Sequence, residues 1–233
     1  MKRIANISAG VILSALSFVS VTARAQDAPI MALDPTLMAG WSGNLAYDSK
    51  VAGKTVATAK SSFDYTSTPA LRQRVVSNFV KRLQSRTSQG ANAVNSTFGP
   101  GKADYNAIYG QILKSSSLKI NNAADALTGL MLVGYQVVNN VPGSEVNSAM
   151  ESGAQAQMIA TLSKNAKLKS ELVRAQMAEQ MKLQSVVLVL GLQEATKTNT
   201  QEAYRQSIAS MFQQQYGINL KQIKLTNQGF AKK

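Results

Sequence analysis

The stretch NAADALTGLMLVGYQVVNNV, residues 122–141, decides the fold of this chain. Asn122 offers a helix N-cap, and Asp125, three residues later, suits the positive end of a helix dipole. Between this cap and Pro142-Gly143, which cannot continue a helix, few side chains are polar. A helix with so little polar surface needs other helices around it. The stretch therefore predicts the central buried helix of an all-α bundle.

Amphipathic stripes elsewhere predict the surrounding helices. Residues 105–113, for example, have apolar side chains at i, i+3, i+4, i+7 and i+8. Including the central helix, we expect about six helices, beginning near residues 69, 105, 122, 144, 166 and 200. Residues 90–101 contain several glycines and a proline and are predicted to form a loop. The expected fold is a single all-α domain, residues 63–233, closed by a short extended C-terminal clasp.

The first 25 residues have the pattern of a cleaved export signal. A basic start at Lys2 and Arg3 precedes a mostly apolar stretch, and Ala23-Arg24-Ala25 has the small-x-small form of a signal-peptidase site. Residues 26–62 are rich in Ala, Ser, Thr and Gly without a sustained period, which indicates a flexible or peripheral arm. We therefore expect a periplasmic or secreted protein without a membrane-spanning segment after cleavage.

Composition excludes several kinds of chemistry. The chain has no cysteine and no histidine, so disulfides, Ser-His-Asp and Cys-His nucleophile systems and zinc sites of the His/Cys type are absent. Lysine and arginine number 25 against 12 aspartates and glutamates, a formal net charge of +13. No metal site and no cofactor is predicted.

Asp125 and Glu179 are the candidate catalytic residues, because both lie among apolar neighbours. A buried carboxylate pair could supply the acid and the base of a cell-wall glycan hydrolase. The alternative, which we favour, is structural: Asp125 caps its own helix, and Glu179 pairs with Arg174 or Lys182. An enzyme is the less favoured prediction.

Two short motifs resemble catalytic signatures and are rejected. Ser116-Ser117-Leu118-Lys119 matches the S-x-x-K of penicillin-recognising enzymes, but the accompanying S-D-N and K-T-G elements are missing. Glu151-Ser152-Gly153 resembles the Glu-Ser of lytic transglycosylases without the residues that should follow it.

The helix that begins at Pro69 is the strongest candidate for binding. It carries five cations and no acid: Arg72, Arg74, Lys81, Arg82 and Arg86. Such a helix attracts phosphate or sulfate groups, as in lipopolysaccharide or anionic lipids, and the alternative is an ordinary solvated face. Nucleic acid is an unfavoured partner because no aromatic side chains alternate with the cations. Lys164, Lys167 and Lys169 form a second, smaller cluster.

Three stretches together carry a resemblance to a known family: Phe63-Asp64-Tyr65, residues 122–127 and residues 217–230. The chain is similar in these stretches to a family of uncharacterised exported bacterial proteins classed as a domain of unknown function. The resemblance implies a helical, exported domain and carries over no catalytic residue.

The sequence thus predicts an exported, non-enzymatic cell-envelope protein that binds another protein or an anionic envelope component through a basic surface. Two alternatives stay open. One is the carboxylate-dependent glycan hydrolase, and the other is a structural component of a secretion or surface assembly.

Overall fold

The computed structural model describes residues 63–85 and 87–233, which form seven α-helices and one small two-stranded sheet. The predicted signal peptide (1–25), the predicted arm (26–62) and Arg86 lie outside the described residues. The predicted all-α class is confirmed. In chain order the helices are α1 (Pro69–Gln84), α2 (Ser88–Phe98), α3 (Tyr105–Ile112), α4 (Ala123–Asn139), α5 (Ser148–Leu162), α6 (Glu171–Lys197) and α7 (Gln201–Tyr216). Three short 3-10 helices (Gly143–Glu145, Ala166–Lys169 and Leu220–Gln222) and the strands β1 (Ile223–Thr226) and β2 (Gly229–Lys232) complete the described chain.

The central helix α4 is buried along almost its whole length. Asn122 caps it as predicted, since its side-chain oxygen accepts hydrogen bonds from the N–H groups of Ala124 (2.9 Å) and Asp125 (3.1 Å). At the other end Asn140 adopts a left-handed conformation (φ 54°), which ends the helix. α4 packs against α5, α6 and α7, so the predicted environment of this stretch is confirmed.

The long helix α6 joins two groups of core side chains. Met177 and Met181 belong to the group formed with α4, α5, α7 and the C-terminal hairpin, whereas Leu183 and Val186 pack with α1, α2 and α3. From residue 177 to residue 190 every side chain of α6 is buried. Any polar group in this part of α6 must therefore find its partners inside the protein. None of the described helices combines the length and hydrophobicity needed to cross a bilayer.

The predicted loop at residues 90–101 is largely wrong, because α2 occupies its first nine residues. Thr87 caps this helix by accepting a hydrogen bond from the N–H of Gly90 (3.3 Å). Ala91, Val94 and Phe98 then fall on one buried face. A glycine in a helix costs only about 1 kcal/mol relative to alanine, and burying Val94 and Phe98 outweighs that cost. The chain leaves the helix only at Gly99-Pro100.

Two predicted helix starts are also corrected. Residues 143–145 form a single 3-10 turn, and α5 begins only after Asn147, whose side chain accepts a hydrogen bond from the N–H of Met150 (2.9 Å). Residues 166–169 form a second 3-10 turn, so α6 begins at Glu171. Asn147 caps α5 three residues beyond Ser144, and Asn165 caps the 3-10 turn that precedes α6, so spacing alone places both starts too early.

The predicted C-terminal clasp is a β-hairpin. β1 pairs antiparallel with β2, and Leu225 lies opposite Phe230. The side chain of Gln157 on α5 accepts a hydrogen bond from the Phe230 N–H (2.8 Å) and donates one to its carbonyl (3.0 Å). Gln157 therefore takes the place of a further strand at the outer edge of β2.

Candidate functional site

Helix α6 places an acid and a base together inside the core. Glu179 and Lys182 are one helical turn apart, both side chains are 0% exposed, and Lys182 Nζ lies 2.8 Å from Glu179 Oε1. The sequence predicts either Arg174 or Lys182 as the partner of Glu179, and the structure shows Lys182. The other, Arg174, donates instead to the backbone carbonyls of Leu168 (2.8 Å) and Lys169 (2.9 Å).

Two tyrosines complete the hydrogen bonding of Glu179. The Tyr65 hydroxyl donates to Oε1 (2.8 Å), and the Tyr105 hydroxyl donates to Oε2 (2.7 Å). Tyr65 precedes α1 and Tyr105 is the first residue of α3, so three separate parts of the chain meet at this carboxylate. We call Glu179, Lys182, Tyr65, Tyr105 and Asn121 the Glu179 cluster.

Lys182 has further partners in the same cluster. Its ammonium donates to the Tyr65 hydroxyl (3.2 Å) and to Asn121 Oδ1 (3.4 Å). It also lies 5.6 Å from the ring centre of Tyr65 and 5.9 Å from that of Tyr109. At these distances the aromatic faces attract the cation, most strongly where water is excluded.

Burial controls protonation in this cluster. Desolvation raises the pKa of the Tyr65 and Tyr105 hydroxyls, and the neighbouring Glu179 charge raises both further. Desolvation also lowers the pKa of Lys182, and the Coulomb attraction and hydrogen bond of Glu179 oppose that shift. Each tyrosine hydroxyl therefore stays protonated and donates a hydrogen bond to the carboxylate.

An ion pair lies at the edge of the Glu179 cluster. Arg72 NH2 on α1 is 2.8 Å from Asp104 Oδ2, and the Arg72 side chain is only 15% exposed. The positive charge of Arg72 opposes the rise in the pKa of Tyr65 and Tyr105. It adds to the fall in the pKa of Lys182. Arg72 thus belongs to the interior network rather than to an outer basic face.

The arrangement of the Glu179 cluster is that of a buried structural network. The carboxylate receives three hydrogen bonds from the protein and has no exposed surface. A fully satisfied network of this kind fixes the relative positions of the elements that supply its members. Here those elements are α3, α6 and the segments before α1 and before α4.

Asp125, the other predicted catalytic carboxylate, lies in the first turn of α4 and is 2% exposed. It accepts hydrogen bonds from the Lys119 N–H (2.8 Å) and from Gln155 Nε2 (2.6 Å), and the cap of the helix is Asn122. Desolvation raises the pKa of Asp125, and the bonds from Gln155 and Lys119 oppose that shift. Asp125 and Glu179 have no hydrogen-bond partner in common, although both charges raise the pKa of Tyr109.

The two rejected motifs meet in the structure. Glu151 is 5% exposed and accepts hydrogen bonds from the hydroxyls of Ser116 (2.6 Å) and Ser117 (2.6 Å) and from the Ser117 N–H (2.8 Å). Lys119 pairs with Asp64 (3.6 Å), away from these hydroxyls. The serines therefore anchor the turn after α3 to the first turn of α5.

The predicted basic helix does not present one continuous binding face. Arg74 and Lys81 are seven residues apart, lie on the same side of α1 and are exposed. Arg82 is half-buried, and Arg72 is bound to Asp104. Of the five predicted binding cations, two remain as a surface pair, and Arg86 lies outside the described residues.

The comparisons with known proteins identify a family without an activity. Residues 32–232 match DUF6683, a family of unknown function. The chain belongs to this family. The match includes all three stretches that carried the resemblance in the sequence. No curated protein and no solved structure matches the chain.

In this DUF6683 protein the sequence revealed only part of the buried polar chemistry. The spacing of Glu179 and Lys182 in an apolar helix is visible in the sequence, but no local pattern marks Tyr65, Tyr105 and Asn121 as their partners. Tyr105 begins an apolar stripe, and that pattern predicts packing through its ring. The usable signal was that a buried tyrosine hydroxyl usually finds a hydrogen-bond partner.

Proposed function

We propose that this DUF6683 protein is an exported, non-enzymatic protein of the bacterial cell envelope that binds an anionic envelope component through its basic surface. Export is inferred from the basic, apolar and small-x-small order of residues 1–25. The absence of cysteine is compatible with an oxidising compartment, where a free thiol would be a liability.

The distribution of charge between interior and surface carries this proposal. Among the described residues the buried carboxylates are Asp125, Glu151 and Glu179, whereas Lys182 is the one buried cation. Burial therefore removes more negative than positive charge from a chain that already carries a formal net charge of +13. A strong positive surface potential attracts anionic partners and raises their rate of association.

Arg74 and Lys81 are the best candidates on α1. Both side chains are exposed, and no carboxylate of residues 63–85 and 87–233 lies within ion-pair distance of either. Phosphate or sulfate groups bind such unpaired cations well. The two positions can also be changed without disturbing the Glu179 cluster, which a change at Arg72 would affect.

The state of the two candidate carboxylates supports a non-enzymatic role. Glu179 receives its hydrogen bonds from Tyr65, Tyr105 and Lys182 and has no exposed surface. Asp125 is held by Lys119 and Gln155. A general acid or base must come within hydrogen-bond reach of its substrate, and both carboxylates already serve other partners.

Heparin chromatography with a matched pair of variants tests the proposal. We expect Arg74→Glu/Lys81→Glu to elute at clearly lower salt than wild type. The control is Lys102→Glu/Lys114→Glu, which changes net charge equally at two other exposed lysines. Equal elution of the two variants would exclude α1 as the binding site, and a wild type that heparin does not retain would contradict the proposal as a whole.

A further inference from the structure

The turn between α5 and α6 combines an exposed apolar side chain with a group of lysines. We call residues 163–174 the α5–α6 corner. Leu172 in the first turn of α6 is 60% exposed and is the one exposed large hydrophobic side chain among residues 63–85 and 87–233. Lys164, Lys167 and Lys169 are all exposed and precede it by three to eight residues.

The acid in this corner is turned toward another part of the protein. The Glu171 carboxylate accepts a hydrogen bond from the Thr66 N–H (2.9 Å), in the segment before α1. This bond, together with the Thr66 side chain, lowers the pKa of Glu171, and the Arg174 charge adds to the effect. The Glu171 carboxylate is thus bound to the segment before α1.

The α5–α6 corner is held in a fixed shape. Leu168 is 3% exposed and anchors the 3-10 turn in the core. Asn165 accepts a hydrogen bond from the Lys167 N–H (3.0 Å) at the start of that turn, and the Arg174 guanidinium binds the carbonyls of Leu168 and Lys169 at its end. A surface that is already ordered loses less conformational entropy when it binds.

We propose that the α5–α6 corner docks the protein on an anionic lipid bilayer, with the lysines at the headgroups and Leu172 in the interface. Lysines near such a surface are attracted by its negative potential, and an apolar side chain gains by leaving water for the acyl boundary. A soluble polyanion would bind the lysines but would leave Leu172 in water. A stable protein interface buries about 1,200–2,000 Å², for which a single exposed leucine offers a poor centre.

This docking surface deepens the proposed function, since it names the bilayer as the anionic component, and it rests on the proposed envelope location. It does not depend on Arg74 or Lys81, which lie on α1. The two proposals can therefore fail separately. Loss of heparin binding in Arg74→Glu/Lys81→Glu concerns α1, and loss of vesicle binding in the corner variants concerns the corner.

Flotation with lipid vesicles tests the docking. We expect the purified protein to float with vesicles of phosphatidylcholine containing phosphatidylglycerol and not with phosphatidylcholine alone. Lys164→Glu/Lys167→Glu/Lys169→Glu should weaken partitioning on the order of 100-fold, and Leu172→Ser roughly tenfold. The control Lys102→Glu/Lys114→Glu/Lys224→Glu has the same net charge and should lose much less.

Leu172 also allows a direct test of insertion. The chain has one tryptophan, Trp41, so Leu172→Trp in a Trp41→Phe background reports only on the corner. Its emission should shift to the blue with anionic vesicles, and its vesicle binding should equal or exceed that of wild type. The heparin elution of Leu172→Ser should not change, since heparin offers no apolar phase.

Three results would overturn the docking proposal. The first is equal vesicle binding by the corner variant and its charge-matched control. The second is a Leu172→Trp emission that does not shift. The third is a protein that ignores vesicles but forms a complex in periplasmic extract, seen by native mass spectrometry and lost in Leu172→Ser, which would assign the corner to a protein partner. Failure of flotation with retained heparin binding would leave the proposed function standing.

Discussion

The hydroxyl of Tyr65 and the carboxylate of Glu179, 114 positions apart in the chain, are joined by a hydrogen bond of 2.8 Å inside the core. The bond fixes the segment before α1 to the middle of α6. Two other hydrogen bonds join the same two parts of the chain. The Thr66 N–H donates to the Glu171 carboxylate, and the Asp64 carbonyl accepts from Arg174 (3.4 Å). The start of the described chain is thereby attached to α6 at three points.

Removal of the buried cation should destabilise the fold strongly. Lys182→Met leaves the Glu179 charge inside the core without its counter-ion, and breaking a buried pair in this way costs about 3–5 kcal/mol. The double variant Glu179→Gln/Lys182→Met has neither charge of this pair and should be more stable than Lys182→Met alone. Urea unfolding monitored by circular dichroism gives the free energies.

The same helix offers a matched control for this experiment. Lys197 and Glu194 form an ion pair with the same i,i+3 spacing, but the Lys197 side chain is 57% exposed. Lys197→Met should change stability by less than about 1 kcal/mol, because exposed pairs contribute little. Similar losses for Lys182→Met and Lys197→Met would show that burial of the Glu179 pair has no energetic consequence.

Tyr105 and Tyr109 should respond differently to the same substitution. Both are fully buried on α3, but the Tyr105 hydroxyl donates to Glu179, whereas the Tyr109 hydroxyl has no hydrogen-bond partner among the described residues. Tyr105→Phe should cost about 1–3 kcal/mol, since it leaves a buried acceptor unsatisfied. Tyr109→Phe should be neutral or slightly stabilising. Thermal unfolding of the two variants side by side checks the difference.

The position of the Tyr109 hydroxyl predicts a rescue as well. A Cβ on Gly129 of α4 would lie 2.6 Å from this oxygen but 3.5 Å from the ring carbon that bears it. Gly129→Ala alone should therefore destabilise by about 1–3 kcal/mol through overpacking. In a Tyr109→Phe background most of that loss should disappear. An equal cost of Gly129→Ala in both backgrounds would contradict this account of the contact.

Asp125 should make the protein less stable as pH rises through the acid range. Burial raises the pKa of this carboxyl above 3.8, so the unfolded chain releases the proton at lower pH than the folded chain does. The protonated carboxyl then contributes fully to the stability of the fold below about pH 3.8. This contribution is lost as pH rises through the pKa of the folded state. Relative to Asp125→Asn, which does not titrate, wild type should lose stability between pH 3 and pH 7.

Glu171 provides the opposite sign for the same measurement. Its hydrogen bond with Thr66 lowers its pKa below 4.5. Its contribution is present above the unfolded pKa and is lost as pH falls, so wild type should gain stability over Glu171→Gln as pH rises. Urea midpoints across this range test both slopes, and parallel curves for the two variants would contradict the assignment.

Local patterns in the sequence were sufficient where a helix depends on its own residues. The cap at Asn122 and the stop at Pro142-Gly143 are both visible as residue types at fixed spacing. α2 was missed because its glycine and small polar residues resemble a loop, and its stability comes from burying Val94 and Phe98 against other helices. Tertiary packing of that kind leaves little trace in a short window.

The polar sites were harder to predict for a related reason. Lys182 lies three residues from Glu179, so a helical period reveals the pair. Asp104 lies 32 residues after Arg72, and Tyr65 lies 114 residues before Glu179. Nothing in the periodicity of one helix specifies a partner on another. The basic face predicted for α1 therefore includes Arg72, although its guanidinium binds a carboxylate outside that helix.

The C-terminal hairpin should detach if α5 cannot approach it closely. A Cβ on Gly153 would meet the carbonyl of Asn227 and lie 2.6 Å from the Gly229 nitrogen. Both contacts are with backbone, which cannot rotate away as a side chain can. Gly153→Ala should thus cost about 1–3 kcal/mol, even though alanine favours a helix more than glycine does.

Gly110 on α3 gives the same substitution with the opposite result. A Cβ there would meet only Ile120 Cδ1 at 3.4 Å, so Gly110→Ala should gain up to about 1 kcal/mol from helix propensity.

Hydrogen exchange distinguishes a loose hairpin from general loss of stability, because Gln157 protects the Phe230 amide only while α5 and β2 are in contact. In Gly153→Ala that amide should exchange faster while the amides of α4 keep their protection. If the exchange rates of the Phe230 amide and of the α4 amides change together, close approach of α5 to the hairpin does not hold the C-terminus in place. The burial of Phe230 then becomes the better explanation.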